Sequence, residues 1–102
     1  MSSFEEEAFI PVAPAEAMER LKDALQALGR VKSAKVMAGN SISVKTGISI
    51  KSWGETVTGS VGPASDGTVV HVRSQSRVRT TLIDYGRNRQ NVKQVIEMIQ
   101  VA

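Results

Sequence analysis

The chain has 102 residues, a formal net charge of +3 at neutral pH and an apolar fraction of 41%. This length suits one domain over residues 1–102 and leaves little volume for a deep catalytic cleft. There is no cysteine, which excludes disulfides, thiolate metal sites and thiol chemistry. The sequence shows neither a signal peptide nor an apolar run long enough for a membrane span, so a cytoplasmic protein is expected.

Acidic and basic residues are unevenly distributed along the chain. The first 29 residues are net acidic and include the run Glu5 to Glu7, whereas residues 30–54 carry five basic residues and no acidic one. Residues 73–102 are again net basic. This pattern is explained either by pairing of charges within the fold or by a basic surface for an anionic partner.

The first 37 residues predict a strand, a helix and a second strand. Residues 3–10 form the first strand, and Pro14 suits the first position of a helix because the N–H that proline lacks is unpaired there. Gly29 ends the helix, and its buried stripe follows from helical spacing: Ala17, Leu21, Ala24, Leu25 and Leu28. Residues 30–37 form the second strand, which turns at residues 38–40.

Alternation of apolar and polar residues predicts three further strands. Residues 41–51 alternate as one long strand, as a strand with a bulge at Thr46-Gly47, or as a hairpin at that point. Residues 55–62 form the next strand and end in a turn over residues 62–67. Residues 68–79 then alternate again, before a final helix whose buried stripe comprises Val92, Val95, Ile96 and Ile99.

These elements predict an α+β fold in the order β-α-β-β-β-β-α. Two amphipathic helices would pack on one face of a mostly antiparallel, curved sheet. The sequence contains neither Gly-x-x-x-x-Gly-Lys nor Gly-x-Gly-x-x-Gly, the two glycine-rich motifs that bind phosphate groups. No cofactor is expected. The chain is predicted to be a monomer or a weak homodimer.

Two patterns near the end of the chain resemble a known family. The sequence reads Arg-Ser-x-Ser-Arg at residues 73–77 and Asp-x-Gly-x-Asn-Arg-x-x-Val at residues 84–92. Together with the element order, they resemble an uncharacterised bacterial domain family with a C-terminal RSxSR…DxGxNRxxV signature. The layout is also similar to a reduced helix-grip fold, in which a curved sheet wraps a long C-terminal helix. The resemblance implies a fold and no reaction, because the family has no established activity and the fold hosts many.

The second of these patterns is interpreted as a joint between a strand and a helix. Asp84 can cap the helix by accepting from its first N–H groups, and Gly86 permits a close approach or an unusual backbone angle. Asn88 or Arg89 can tie the start of the helix to neighbouring loops. The alternative is an anion site at the helix N-terminus, assisted by Arg87 and Arg89, although Asp84 already occupies the cap.

A basic sheet face is the main functional prediction. If the strands pair in order, one face collects Lys45, Lys51, Trp53, His71, Arg73, Arg77 and Arg79. Positive charge beside an exposed ring fits single-stranded nucleic acid or another polyanion, and a protein partner is the alternative. Trp53 is otherwise a half-buried residue at the sheet edge. The acidic first strand would neutralise part of this face if it lay beside it.

Other functions have less support, and the chain is predicted to be a non-catalytic binding module. His71 is the only histidine, and no carboxylate is placed beside it by the sequence. The acidic residues are dispersed, so no metal site is expected. The alternative to an anionic partner is a small apolar ligand held between the sheet and the C-terminal helix. Gly59, Ser74 and Ser76 are small residues on that inward side and could leave a cavity.

Overall fold

The computed structural model describes residues 3–28, 31–37, 39–47, 54–77 and 86–101. Its elements, in chain order, are β1 (Ser3–Ile10), α1 (Pro14–Gln26), β2 (Val31–Met37), β3 (Ser41–Thr46), β4 (Glu55–Ala64), β5 (Gly67–Ser76) and α2 (Arg87–Val101). The predicted α+β class and the order β-α-β-β-β-β-α are therefore confirmed. Neither α1 nor α2 is long and apolar enough to cross a membrane.

All described strand pairs are antiparallel, in the order β1-β5-β4-β3-β2. Strands β2 to β5 pair in chain order, and β1 pairs with β5 along its whole length, from Ser3 opposite Gln75 to Ile10 opposite Thr68. β1 and β2 are consequently the two edges of the sheet. Helix α1 connects them, so it carries the chain from one edge to the other across one face.

Both helices pack on the same face of the sheet, which we call the inner face. Leu21 of α1 lies over Gly59 of β4, and Asn91 of α2 contacts Ser74 of β5. The aliphatic side chains that are fully buried between these layers include Ile10, Leu21, Leu25, Ile42, Val44, Val57, Val70, Val72, Val92, Val95 and Ile99. Because a fully buried side chain of this kind contributes roughly 1.5–3 kcal/mol, this core is the main source of stabilisation.

The β4–β5 hairpin is tighter than the sequence indicates. The predicted turn over residues 62–67 is confined to Ser65 and Asp66, because residues 62–64 belong to β4. Asp66, the second central residue of this turn, has a φ of 64°, a positive angle that aspartate tolerates. Pro63 fits into β4 because β3 pairs with β4 only as far as Ser60, so β3 does not need the N–H that proline lacks.

The helix starts differ in how well the sequence predicts them. Helix α1 begins at Pro14, as predicted. Helix α2 begins at Arg87, and the N–H of its fourth residue donates to the Gly86 carbonyl oxygen at 2.9 Å. Gly86 has a φ of 74°, the unusual backbone angle foreseen for this glycine. The predicted cap, Asp84, lies outside the described residues.

Candidate functional site

The face of the sheet opposite the helices, which we call the outer face, carries the predicted basic residues that the structure describes. Its side chains follow from the register, because residues paired directly across strands point to the same side. One line across β2-β3-β4-β5-β1 reads Ser33, Lys45, Thr56, Gln75 and Ser3. The next line reads Lys35, Ser43, Thr58, Arg73 and Glu5. The third reads Met37, Ser41, Ser60, His71 and Glu7.

The β1 side of the outer face is acidic and neutralises part of the predicted surface. Arg73 Nη1 lies 3.4 Å from Glu5 Oε2, and His71 Nε2 lies 3.7 Å from the same oxygen. Glu7 is directly opposite His71 in the register. These groups are roughly half exposed, so each pair contributes little to stability, on the order of 0–1 kcal/mol. Their consequence is electrostatic, because the Arg73 guanidinium is already paired with a carboxylate.

The opposite side of the outer face is basic. We call Lys35 of β2, Lys45 of β3 and Arg77 the basic half; Arg77 follows β5, but its side chain reaches Thr46 of β3. Lys35 and Lys45 are exposed on β2 and β3, and the outer positions of β2, β3 and β4 in the described ranges carry no acidic residue. Glu5 lies four strand spacings from Lys35, about 19 Å, whereas charges are screened within about 8 Å at physiological salt. The two sides of the outer face therefore differ in charge.

Arg77 closes the end of the sheet where β3, β4 and β5 meet. Its N–H donates to the Gly54 carbonyl oxygen at 3.1 Å, which extends the β4–β5 pairing beyond Ser76. Its Nη1 donates to the Thr46 carbonyl oxygen at 3.0 Å, so the side chain passes over Gly54 to reach β3. Arg77 thus has a structural contact as well as a place in the basic half.

Gly54→Ala is predicted to destabilise the protein by about 1–3 kcal/mol. Gly54 has a φ of 93°, and an added Cβ would lie 2.9 Å from the Thr46 carbonyl oxygen and 3.2 Å from Arg77 Nη1. Gly62→Ala is the matched control, because nothing lies within 4 Å of its added Cβ. Urea unfolding measures both variants. Equal free energies of unfolding in the two variants would show that the position does not require glycine.

A shallow groove of about 210 Å³ lies on the outer face beside His71. It is lined by Glu7, Ser60, Val61, Gly62, Pro63, Val69 and His71. His71 faces this groove, whereas Glu55 is on the inner face, so these two groups lie on opposite sides of the sheet. Among the described residues, no three carboxylate or imidazole side chains converge in a way that could hold a metal ion.

A second group of polar residues is buried between the sheet and α2. We call Thr46, Glu55, Ser74, Ser76, Asn88 and Asn91 the inner polar cluster; all are at least 93% buried. On α2, Asn91 Nδ2 donates to Glu55 Oε1 at 2.9 Å and to Ser74 Oγ at 3.1 Å. Ser74 Oγ donates to Asn88 Oδ1 at 2.7 Å, and Asn88 Nδ2 donates to Ser76 Oγ at 3.1 Å.

The remaining bonds of the inner polar cluster join β3 to β4. The Thr46 hydroxyl accepts from the Glu55 N–H at 2.6 Å and donates to Glu55 Oε1 at 3.1 Å. The Glu55 carboxylate therefore receives donors from both β3 and α2. Because buried polar groups cost free energy unless they are hydrogen-bonded, this network fixes α2 in one position on the sheet.

The inner polar cluster occupies part of the space in which the sequence predicts a cavity for an apolar ligand. Ser74 and Ser76 are small, but Asn88 and Asn91 fill the space above them and satisfy their hydroxyls. An added Cβ at Gly59 would lie 2.6 Å from a Leu21 methyl carbon, so Leu21 fills the second gap. The three small residues allow the helices to pack closely on the sheet.

Two residues of the predicted strand-to-helix joint, Asn88 and Arg89, make different contacts in the structure. Asn88 is buried and bonds to Ser74 and Ser76 of β5. Arg89 Cζ lies 5.7 Å from the centre of the Phe4 ring. The attraction between the guanidinium charge and the ring face links α2 to β1. Of the other predicted site residues, Lys51, Trp53, Arg79 and Asp84 lie outside the described residues.

Sequence reasoning missed Thr46, Glu55 and Asn91. The sequence shows Glu55 only as one of several dispersed acidic residues, yet Glu55 is fully buried. Two sequence signals indicate these residues. The first is that Thr46, Ser74 and Ser76 are polar but lie in phase with the buried aliphatic residues of their strands. The second was the pair of asparagines at positions i and i+3, in phase with the apolar stripe of α2.

Comparison with known proteins places the chain beside a family without an assigned activity. A family model described as "Protein of unknown function (DUF1499)" matches residues 5–99. No curated protein is significantly similar to the chain in sequence.

Solved structures with the helix-grip fold are similar to this one in backbone course. The Aha1 dimer from Colwellia psychrerythraea is 10% identical, with 95% of this chain and 92% of that chain covered and a TM-score of 0.61. Ara h 8.0201 is 12% identical, with coverages of 98% and 95% and a TM-score of 0.56. The di-domain ARO/CYC StfQ from the steffimycin biosynthetic pathway is 16% identical, with a TM-score of 0.65. That match covers 97% of this chain and 50% of the StfQ chain. Identities this low show the fold alone.

Proposed function

The chain belongs to this family of proteins of unknown function, and we propose that it is a non-catalytic binding module whose basic half engages an anionic partner. The observation that carries the proposal is the placement of Lys35 and Lys45. Both are exposed on the outer face, and the acidic side of that face is about 14–19 Å away across intervening strands. Their charge is therefore open to a partner.

The hydroxyl residues around these lysines support the same proposal. Ser33, Ser43, Thr56 and Thr58 lie on the outer face next to Lys35 and Lys45 in the register. Hydroxyl groups donate hydrogen bonds to phosphate, sulfate and carboxylate oxygens, while the lysines provide the charge. The charged and hydroxyl groups of the described residues are distributed over β2, β3 and β4, and an arrangement of this kind suits a polyanion better than a small anion.

The test is a titration with two polyanions of different shape. A fluorescent heparin oligosaccharide and a labelled single-stranded RNA are titrated with the protein at 50 and 200 mM salt, and anisotropy is measured. Binding that weakens steeply with salt is expected, because association with a polyanion releases counterions. Absence of binding to both probes at 50 mM salt would contradict the proposal.

Glu5→Gln is predicted to strengthen polyanion binding, by about two- to fivefold at 50 mM salt. The substitution removes the carboxylate that pairs with Arg73 and lies near His71, so the positive part of the outer face extends towards β1. Glu97→Gln is the matched control, because Glu97 is exposed on α2 and lies on the helix side. If Glu5→Gln changes the affinity no more than the control, then Arg73 does not contribute to binding.

A further inference from the structure

We infer that the anionic partner is an extended acidic segment of another polypeptide, which pairs with the open edge of β2 as a sixth strand. This inference rests on the proposed function and gives it a specific occupant. It combines three properties of β2 (Val31–Met37): an open backbone edge, uncovered apolar side chains on its inner side, and lysines on its outer side.

The backbone of β2 is open on the side away from β3. In the described part of the chain, β2 is the last strand of the sheet. An edge strand presents alternate N–H and C=O groups that have no partner within the sheet, and an extended peptide can pair with them. β2 spans seven residues, a usual length for such pairing.

The inner side of β2 is apolar, and it is uncovered beyond Val31, which packs against the core. Val36 is directly opposite the buried Ile42 in the register, yet it is 58% exposed. The neighbouring inner position, Ala34, is also exposed. The helices pack mainly on the other four strands, so their cover stops short of this edge. Apolar side chains at alternate positions of an added strand would lie beside Val36 and Ala34 and extend the core over β2.

The outer side of β2 selects an acidic strand. Lys35 lies on this side, and Lys45 lies on the same side of the adjacent β3. Acidic side chains at the alternate positions of an added strand would face these lysines. The same chemistry occurs at the other edge of this sheet, where Glu5 of β1 is directly opposite Arg73 of β5 and their side chains pair at 3.4 Å. A strand that alternates acidic with apolar residues therefore complements both sides of β2.

A second copy of this chain fits the edge less well. Antiparallel pairing of two β2 strands would keep the helices of both copies on the same side of a continuous sheet. It would also bring Lys35 and Lys45 of one copy close to those of the other on the outer face. Like charges across a strand pair are destabilising, so the lysines disfavour this pairing.

The test uses three synthetic peptides of eight residues that alternate glutamate with valine. One has an unmodified backbone, and the other two are N-methylated at the odd or at the even residues. The three peptides have the same charge. Strand addition predicts that the unmodified peptide binds, and that one methylated peptide binds at least tenfold more weakly than the other. The reason is that only alternate N–H groups of an added strand face its neighbour. Backbone amide exchange should slow within residues 33–37.

Two matched pairs of substitutions locate the site. Lys35→Glu is expected to weaken the peptide about tenfold, and Lys22→Glu, on the exposed side of α1, is its control. Val36→Thr keeps the strand and is expected to weaken the peptide about threefold. Val101→Thr is the control for loss of an exposed apolar contact, because Val101 is 79% exposed at the end of α2.

The outcomes separate this inference from the proposed function. If heparin or RNA binds through Lys35 and Lys45 but the peptides do not, or if both methylated peptides bind equally, the proposed function stands and strand addition is wrong. If neither the polyanions nor the peptides bind, both fail. Sedimentation that shows a dimer dissociated by Val36→Thr would identify a second copy as the occupant and would also overturn the inference.

Discussion

Asn91→Ala is expected to lower the free energy of unfolding by about 2–4 kcal/mol, because it removes the side-chain amide group that donates hydrogen bonds to two buried oxygen atoms. Asn91 Nδ2 bonds both Glu55 Oε1 and Ser74 Oγ, and all three residues are at least 95% buried. Domains of this size are stable by about 5–15 kcal/mol, so the loss is a large fraction of the total. The midpoint of thermal unfolding should fall by about 10–25 °C.

Urea unfolding and calorimetry measure this effect. Gln94→Ala is the control, because Gln94 is exposed on the same helix. A double-mutant cycle between Ser74 and Asn88 provides an independent measurement, since Ser74 Oγ donates to Asn88 Oδ1 at 2.7 Å. The double variant should be less destabilised than the sum of the single variants by at least about 0.5 kcal/mol. If Asn91→Ala unfolds at the same urea concentration as Gln94→Ala, the inner polar cluster does not hold α2 on the sheet.

Charge reversal at both Lys35 and Lys45 is expected to weaken heparin binding by about 10- to 100-fold. Each exposed ion pair contributes about 0.2–1 kcal/mol, and reversal replaces an attraction by a repulsion at two positions. Neither side chain is buried, and the packing contacts of β3 are made by its inner residues Ile42 and Val44 and not by Lys45. The fold should therefore tolerate the change, and circular dichroism should be unaltered.

The control for this prediction combines Lys22→Glu with Gln94→Glu and Gln100→Glu. These three residues are exposed on α1 and α2, so the change in net charge is the same but falls on the helix side of the molecule. If the control lowers heparin affinity as much as the reversal of Lys35 and Lys45 does, the attraction is due to net charge and not to the outer face.

The local elements of the fold were predictable because each has one buried side. The alternation of Ile42 and Val44 predicts β3, and the helical spacing of Leu21 and Leu25 predicts α1. The pairing of β1 with β5 was not predictable in the same way, because it joins residues 58 to 72 positions apart and depends on the path of α1. That pairing decides the electrostatics of the outer face, since it places Glu5 against Arg73.

The inner polar cluster shows a different limit of sequence reasoning. Ser74 and Ser76 occur at inner positions of β5, where the alternation alone indicates small residues and possible space. Their partners come from α2, 12 to 17 residues away, and the buried Glu55 comes from β4. A sequence pattern gives the side on which a residue lies. It does not give the hydrogen-bond partner that makes a buried polar residue favourable.

The most direct test of the basic half is the salt dependence of RNA binding. For single-stranded RNA, the logarithm of the affinity falls with the logarithm of salt concentration by about 0.7 per neutralised phosphate. Replacing Lys35 and Lys45 by alanine should make this slope shallower by about 1.4, whereas replacing Lys22 on the exposed side of α1 should leave it unchanged. Equal slopes for the wild type and the Lys35→Ala, Lys45→Ala variant would show that these lysines do not meet the anionic partner.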